Sequence, residues 1–415
     1  MRRALDRAAL SALLERPGVR RALAALDAPG AETRLVGGCV RDALLGIPSA
    51  DIDLATTLLP ESVLARAGKA AGLKAVPTGI EHGTVTLVTE DGPIEVTTLR
   101  EDVETDGRHA VVRFGGDFVR DAERRDFTVN ALSLGADGRL HDTVGGLADL
   151  EAARVRFIGD PATRIREDAL RILRFFRFHA RFGAGAAPDA AALAACVAAR
   201  DALDRLSRER VRAEFLKLLA APDGPTMVAT LSATGLLQRI TGGVGELGRL
   251  GRAAAAGLSP VMRLAALAVG GRHDADRLRE RLRLSKQEHA QLTGYADVVA
   301  ILHGQGAIDG VATRALAAEH GLPLLTETLA ILSNEPRPAV TDDARRALQE
   351  LGGAGRAPSF PLAGADLVAA GVPPGPAIGR GLAAARKLWL AHGCPSGVQA
   401  RAELMARALA SAREA

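Results

Sequence analysis

Two kinds of apolar spacing occur in the first 135 residues. Alternation at every second position over residues 84–89 and 94–99, around Asp91-Gly92-Pro93, predicts two strands joined as a hairpin. The other predicted elements are a helix over 3–27 that Pro17-Gly18 breaks or kinks, strands over 33–36 and 51–54, and helices over 40–45 and 60–71. The charged, glycine-rich segment 100–117 predicts a mobile loop. This part of the chain should therefore fold as an α/β unit.

Beyond about residue 145 the apolar spacing is almost entirely helical. The predicted helices cover 164–182, 188–199, 207–221, 225–236, 260–269, 274–284, 286–301, 310–320, 322–332, 342–351, 376–391 and 397–412. Proline and glycine near 221–225, 333–339 and 352–361 indicate joints between subdomains. We therefore expect an α/β head over 1–135, followed by an all-α neck over 136–220, a body over 221–335 and a tail over 336–415.

Composition narrows the class of protein. The chain has 415 residues, of which 47% are hydrophobic and 25% charged, as in ordinary globular proteins. The aromatic share of 3% argues against a single-strand binder that stacks bases on aromatic side chains. Cys39, Cys196 and Cys394 are far apart and suggest buried free thiols in a reducing compartment. Charges interrupt the apolar residues at the N-terminus, and no long apolar run follows, so a soluble cytoplasmic protein is expected.

Positive charge is clustered rather than large. The formal net charge is only +4, yet eight arginines occur between Arg154 and Arg181. A second basic cluster consists of Arg277, Arg279, Arg281, Arg283 and Lys286. Clustered arginine is the usual electrostatic footprint of a phosphate-rich partner, although the second cluster is equally consistent with a solvated helix face.

A glycine turn and two aspartates form the first chemical motif. Gly37-Gly38 lies between a predicted strand and a predicted helix, where backbone N–H groups can approach a triphosphate. Arg41 adds positive charge to the same turn. Asp51 and Asp53 stand two apart on a predicted strand, so their carboxylates should point to one face and suit Mg²⁺. A bound metal pair supports in-line phosphoryl transfer, although either motif alone is a weak signal.

In this order, the strand, glycine turn, helix and Asp-x-Asp strand resemble the signature of polymerase-β-type nucleotidyltransferases. The resemblance is greatest to the branch of tRNA nucleotidyltransferases and bacterial poly(A) polymerases. It implies a polymerase-β-like mixed sheet with helices in the head, and a third carboxylate on a neighbouring strand. Glu95 is the best candidate for that carboxylate, with a solvent-facing edge residue as the alternative. The segment 124–126, Arg-Arg-Asp, is similar to a second motif of the family, which implies that Arg125 contacts the incoming nucleotide.

The segment 166–177 carries the third motif. Asp168 and Arg171 are three apart and should be neighbours on a helix, where the ordinary explanation is a salt bridge. Together, a carboxylate acceptor and a guanidinium donor can also imitate a Watson–Crick partner for C or A, and they mismatch U and G. The spacing resembles the amino-acid template of class II CCA-adding enzymes, which implies nucleotide contacts for Arg174 and Arg177 as well. Helical geometry turns Arg177 away from Asp168, which favours contact with phosphate or RNA.

The sequence thus predicts an enzyme that adds C and A to the 3′ end of tRNA, using Mg²⁺, CTP and ATP. The acceptor arm should be gripped by its backbone, and no obligate protein partner is evident. Two alternatives remain open: a poly(A) polymerase that adds AMP to RNA, and an inactive RNA-binding relative. Against the first, residues 105–109 resemble the flexible loop of CCA-adding enzymes, and the surrounding segment 99–114 lacks the strand pattern of poly(A) polymerases. Against the second, Asp51, Asp53 and Asp168 are intact.

Overall fold

A mixed seven-stranded sheet forms the centre of the N-terminal part. A computed structural model describes residues 3–49, 51–105 and 110–413. The strands of this part are β1 Thr33–Val36, β2 Ile52–Thr56, β3 Lys74–Gly79, β4 Thr84–Thr89, β5 Gly92–Thr98, β6 Arg100–Thr105, β7 Ala110–Phe114, β8 Ser133–Gly135 and β9 Leu140–His141. The sheet order is β3-β4-β5-β2-β1-β8-β9, and only β2 and β5 run parallel.

Helices cover this sheet and continue after it. They are α1 Ala8–Leu14, α2 Pro17–Leu26, α3 Gly38–Leu44, α4 Pro60–Ala67, α5 Phe118–Glu123, α6 Gly146–Glu151, α7 Pro161–Glu167, α8 Arg171–Phe182, α9 Ala190–Ala198, α10 Arg208–Ala220, α11 Gly224–Ala233 and α12 Leu236–Thr241. The predicted helix over 3–27 is two helices, and Pro17 begins the second because its fixed φ and missing N–H suit a first turn.

Two predictions for this part are wrong. The segment 100–117 is not a loop, because β6 and β7 pair as an antiparallel hairpin from Arg100↔Phe114 to Thr105↔Ala110. The tip, with the predicted flexible-loop residues 106–109, lies outside the described residues. The single helix over 164–182 is also wrong, because the chain leaves helical geometry at Asp168 (φ −150°, ψ 108°), and α8 begins only at Arg171.

The remaining chain is helical. Its elements are α13 Leu247–Ala255, α14 Pro260–Ala268, α15 Arg272–Leu282, α16 Lys286–Leu302, α17 Gly310–His320, α18 Leu322–Leu332, α19 Asp342–Ala354, α20 Gly364–Ala369, α21 Pro376–Ala391 and α22 Val398–Arg413, with one short parallel pair, β10 Ala307–Ile308 and β11 Ala339–Val340. One apolar core is built by α16–α19, and another gathers α20–α22 around the buried Trp389.

Contacts divide the chain into two units, Met1–Arg239 and Ile240–Ala415. The expected α/β head followed by helices is confirmed, whereas the finer division into segments 1–135, 136–220, 221–335 and 336–415 stays a prediction. No helix in the described ranges is long and apolar enough to cross a membrane. All three cysteines are buried, and burial raises the pKa of the Cys39 thiol to about 11.

Candidate active site

Three carboxylates gather on one face of the sheet. Asp53 and Glu95 are direct partners across the parallel strands β2 and β5, so their side chains point the same way. Asp51 immediately precedes β2 and is exposed. Glu95 is exposed, but β5 lies between β4 and β2, so Glu95 is not on an edge strand.

The electrostatics of Asp53 show that these charges converge. Burial raises the pKa of its carboxyl, the negative charges of Glu95 and Asp51 raise it further, and the Arg125 guanidinium opposes them. Within the described residues, the side chains of Asp51, Asp53 and Glu95 have no hydrogen bond or ion pair with another side chain or with the backbone. A bound cation would relieve the repulsion among these carboxylates, which Arg125 offsets only in part.

The fit to Mg²⁺ rests on this donor set. Mg²⁺ in nucleotide enzymes is usually held by one or two carboxylates, and water and substrate phosphates complete its shell. Asp51 and Asp53 offer that arrangement. Among the described residues no cluster of three or more Asp, Glu, His or Cys side chains is tight enough to enclose an ion, so a site built wholly from protein ligands does not fit.

Gly37 places the glycine turn in contact with Arg125 of the Arg-Arg-Asp motif. Its backbone has φ +73°, a left-handed value that favours glycine, and a Cβ there would lie 2.8 Å from Nη1 of Arg125. Gly38 begins α3 and is less constrained, since its Cβ would meet nothing closer than 3.7 Å. The Arg125 guanidinium therefore lies directly over the turn.

Arg125 is held by a buried carboxylate. Its Nη2 lies 3.1 Å from Oδ2 of Asp121, and its Nη1 donates to the carbonyl oxygen of Asn130 at 3.3 Å. Burial would raise the pKa of Asp121, but the charges of Arg125 and Arg124 and their hydrogen bonds hold it below its ordinary value. The side chain of Arg125 stays 24% exposed, which leaves part of the guanidinium open to a ligand.

Arg41 has internal partners in the structure. It is 5% exposed, its Nε donates to Oδ1 of Asp42 at 2.8 Å, and its Nη1 donates to the side-chain oxygen of Asn130. Its guanidinium also lies 4.3 Å from the centre of the Phe182 ring. Burial lowers the pKa of Arg41, and the Asp42 carboxylate counteracts this. These contacts tie α3 to Asn130 and α8.

Asn130 continues this network towards the third motif. Its Nδ2 donates to Oδ1 of the buried Asp126 at 2.9 Å, and Nε of Arg174 lies 2.6 Å from the other carboxylate oxygen. Burial alone would raise the pKa of Asp126, but Arg174, Asn130 and the backbone hold it below its ordinary value. Arg177 pairs with Glu214 at 2.5 Å and is only 13% exposed.

Asp168 and Arg171 are not paired with each other. Asp168 precedes α8 and accepts from the N–H of Leu170 at 3.0 Å, and Nη2 of Arg210 lies 2.6 Å from its Oδ2. Arg171 pairs with Glu167 and donates to the Arg124 carbonyl at 3.4 Å. The predicted helical salt bridge is therefore absent at this position, and each member has its own counterion.

Sequence reasoning missed the contribution of α10. Arg210 and Glu214 are four apart and share one face of this helix, so one helix holds Asp168 and Arg177 from the same side. The four-residue spacing of opposite charges was readable, but nothing local indicated partners about forty residues away. Seven of the eight clustered arginines form ion pairs with carboxylates, namely Arg154, Arg156, Arg164, Arg171, Arg174, Arg177 and Arg181. The cluster is thus largely an internal framework.

Two family models match this chain. The one described as the poly A polymerase head domain matches residues 33–156, which contain the carboxylates and Arg125. The one described as a probable RNA and SrmB-binding site of polymerase A matches residues 187–242, which contain α10.

Similar proteins extend over most of the chain. CCA tRNA nucleotidyltransferase 1, mitochondrial, of Danio rerio is 34% identical over 368 residues, 86% of this chain and 83% of that protein. The CCA-adding enzyme of Limosilactobacillus fermentum is 32% identical over 374 residues, 87% of this chain and 89% of its own. Neither unit alone makes up so large a share of the chain, so both matches extend into both units.

Solved structures of CCA-adding enzymes also resemble this chain over most of its length. The Bacillus stearothermophilus CCA-adding enzyme in complex with CTP has a TM-score of 0.70 at 25% identity, covering 94% of this chain and 98% of its own. The Thermotoga maritima CCA-adding enzyme complexed with tRNA also has a TM-score of 0.70, at 19% identity and 98% coverage of both chains. At 19% identity, the likeness to the Thermotoga maritima enzyme shows only that the two chains share a fold.

Proposed function

Because this chain belongs to the family of CCA-adding enzymes, we propose that it adds C and A nucleotides from CTP and ATP to the 3′ end of tRNA. The observation that carries the proposal is the convergence of Asp51, Asp53 and Glu95 on one sheet face beside Arg125. A nucleotidyl transfer needs such a concentration of negative charge for its metal ions and a cation for the triphosphate.

Asp51 and Asp53 would hold Mg²⁺, which supplies charge stabilisation and activates the attacking hydroxyl when bound. Glu95 adds negative charge on the same face and has a proposed catalytic role beside them. In the reaction the RNA 3′ oxygen forms a bond to the α-phosphorus, and the bond from that phosphorus to pyrophosphate breaks. The hydroxyl proton leaves towards this acidic face.

The glycine turn and Arg125 are proposed to hold the triphosphate and ribose. Gly37 and Gly38 keep the turn free of side chains, and the half-open guanidinium of Arg125 lies over it. For Arg41 the buried contacts support an indirect role, since its donors are used by Asp42 and Asn130. It would fix Asn130, whose carbonyl oxygen helps to orient Arg125.

Asp168 and Arg171 are proposed to select the base. A carboxylate accepts from the exocyclic amino group of C or A, and a guanidinium donates to the neighbouring ring acceptor. U and G present a carbonyl where the carboxylate must accept, so an unpaired polar group penalises them. Arg210 and Glu167 support this role because they fix the two groups separately and keep them from neutralising each other.

Arg174 and Arg177 differ in how much of the side chain is exposed to a ligand. Arg174 is 31% exposed beside Asp126, so we propose that it contacts the nucleotide with its remaining N–H groups. Arg177 is 13% exposed and stacks over Phe178 at 4.3 Å, which favours a supporting role.

The helical segments 221–335 and 336–415 would bind the acceptor arm by its backbone, and a cytoplasmic location is proposed for the chain.

A poly(A) polymerase is the second candidate, because one matching family model describes a poly A polymerase head domain. The strands β6 and β7 remove the sequence argument that separated the two activities at residues 100–114. The test is incorporation of labelled CTP and ATP into tRNA that lacks its terminus, followed by sequencing of the product. Addition of C and then A supports the proposal, addition of A alone supports the polymerase, and no addition supports an inactive RNA-binding relative.

A further inference from the structure

The sheet face that carries the three carboxylates continues across two further strands, β4 and β3. Glu95 of β5 is the direct partner of Thr86 in β4, and Thr97 of β5 is the partner of Thr84. Opposed residues of neighbouring strands point to the same face, so these threonines share the face of Asp53 and Glu95.

Hydroxyl groups line this face in pairs. The Oγ1 atoms of Thr84 and Thr97 lie 3.2 Å apart, and those of Thr78 in β3 and Thr86 lie 2.7 Å apart. At the outer end Lys74 of β3 is exposed and opposes Val88 in register. The surface thus presents hydroxyl pairs next to the carboxylates and a positive charge further out, with Val76 and the exposed Val88 between them.

The opposite face of the same strands is covered. Val85, Leu87, Ile94 and Val96 are at most 2% exposed. Helix α2 packs there, since a Cβ at Gly18 would touch the side chain of Thr89. By contrast, Thr84, Thr86 and Thr97 are half-buried and Glu95 is exposed, so the carboxylate face stays accessible on β3–β5.

The strand order fixes which reactant this surface can serve. Strand β2 lies between β1, which ends at the glycine turn under Arg125, and β5. The turn is the proposed triphosphate side, so pyrophosphate departs towards β1. In-line transfer requires the attacking oxygen to enter opposite the leaving group. The RNA 3′ end must then approach from the β5 side, across the threonine surface.

We propose that the face formed by Thr78, Thr84, Thr86, Thr97 and Lys74 binds the sugar–phosphate backbone at the 3′ end of the acceptor RNA. This inference rests on the proposed function. Threonine hydroxyls both donate and accept, so they match 2′-hydroxyls as well as phosphate oxygens. These five side chains offer no aromatic ring, so contact runs through the backbone rather than through stacked bases. The neutral hydroxyls separate RNA phosphates from the negative charge at Asp53, and Lys74 attracts them further along the chain.

The test replaces hydroxyls without removing β-branching. The double variant Thr86→Val/Thr97→Val keeps a residue favoured in strands and loses two polar contacts. Its matched control is Thr33→Val, which removes a hydroxyl from the cross-strand pair of Thr33 and Thr56 (2.8 Å) on the covered face. The probe is tRNA that lacks its terminus, and KM for tRNA and for CTP is measured separately.

The double variant should raise KM for tRNA and the equilibrium Kd for the same tRNA about tenfold and leave KM for CTP unchanged. Thr33→Val should change neither. An unaltered Kd for tRNA, or a rise confined to KM for CTP, would overturn the inference. Because the binding measurement needs no turnover, it decides the inference even if the wild-type chain incorporates no nucleotide, a result that would instead reject the proposed function.

Salt dependence gives a second readout that a purely structural role would not move. Lys74→Gln should reduce the slope of log K for tRNA against log salt by about 0.7, the contribution of one contact with single-stranded phosphate. Lys69→Gln, which alters an exposed lysine between α4 and β3, should leave the slope unchanged. Equal slopes in the two variants would contradict a phosphate contact at Lys74.

Discussion

Asp168 is bound by Arg210 of α10, with Nη2 of the arginine 2.6 Å from Oδ2 of the carboxylate. Asp168 is an extended residue at the end of α7, and its other carboxylate oxygen accepts from the N–H of Leu170 at 3.0 Å. The ion pair therefore positions the group that is proposed to accept from the amino group of C or A.

Replacing Arg210 with alanine should loosen base selection. Asp168 would lose its counterion and sample orientations that no longer penalise UTP. We expect the ratio of kcat/KM for CTP to that for UTP to fall about tenfold, equivalent to about 1.4 kcal/mol of discrimination. Steady-state incorporation into tRNA that lacks its terminus measures both values.

A positioning role predicts partial rescue by the conservative change. Arg210→Lys should recover part of the discrimination, because an ammonium can still pair with Asp168 although not with guanidinium geometry. Arg205→Ala, an exposed arginine just before α10, is the control and should leave the CTP to UTP ratio unchanged. An Arg210→Ala enzyme that still discriminates like the wild type would remove Arg210 from base selection.

Sequence patterns predicted well those helices and strands whose positions are determined by residues close together in the chain. Strand β4 alternates apolar and polar residues, and its bounds Thr84–Thr89 were predicted correctly. Helix α17 was also correct, because Asp309 caps its first turn through a hydrogen bond of 2.8 Å to the N–H of Ala312. The position of Glu95 beside Asp53 was expected from the family resemblance rather than from a local pattern, and the pairing of β2 with β5 places the two residues opposite each other.

The errors have non-local causes. Periodicity extended one helix through Asp168, whereas the observed break is accompanied by the ion pair with Arg210, whose position no local pattern indicates. The charged segment 100–117 lacks alternation, yet it forms β6 and β7 by pairing with itself. The contact of Arg41 with Asn130 was equally hidden, since the two residues are 89 apart in the chain.

Gly37 offers a test that separates backbone strain from the position of Arg125. Gly37→Ala places a Cβ 2.8 Å from Nη1 of Arg125 and also imposes an unfavourable φ of +73°. The displaced guanidinium should raise KM for CTP and ATP at least tenfold, roughly the loss of one charged hydrogen bond. Kinetics at varied nucleotide concentration measure the change.

Gly30 is the matched control for this variant. It has nearly the same φ, +76°, but a Cβ there meets nothing within 4 Å. Gly30→Ala should therefore show the strain cost alone, about 1 kcal/mol of stability, with normal KM for nucleotides. If both variants raise KM equally, the contact between Gly37 and Arg125 has no role in nucleotide binding.

The lowered pKa of Asp126 predicts that the fold loses stability at low pH. Its pKa lies below the ordinary 3.8 in the folded chain, so its ionised form stabilises the fold fully above that value. As the pH falls through the depressed folded value, the carboxyl takes up a proton and this contribution is lost. Asp126→Asn should thus destabilise the chain by about 2 kcal/mol at neutral pH, because Arg174 loses its partner.

The difference between Asp126→Asn and the wild type should shrink as the pH falls below 3.8, where the wild-type carboxyl is also becoming neutral. Thermal unfolding across a pH series measures it. Glu123→Gln, a nearby exposed carboxylate at the end of α5, should give a small difference at every pH. A pH-independent gap for Asp126→Asn would show that its ionisation does not stabilise the fold.

Asp53 gives the most direct test of the chemistry. Asp53→Asn keeps the shape of the side chain but removes charge that Glu95 and Asp51 oppose. Transfer of CMP and AMP should fall by at least a thousandfold, since about 4 kcal/mol of transition-state stabilisation depends on the charges at such a centre. The Kd for tRNA should stay within twofold, because the proposed RNA contacts are made by the threonines and Lys74 rather than by Asp53, and the folded chain should be no less stable. Removing divalent ions with EDTA should abolish transfer by the wild type, and added Mg²⁺ should restore it.

Glu81→Gln, which alters an exposed carboxylate of the same sheet region, is the control for Asp53→Asn. It should behave like the wild type in nucleotide transfer, in the Kd for tRNA and in stability. An Asp53→Asn enzyme with wild-type kcat would mean that the carboxylates on β2 do not serve the reaction.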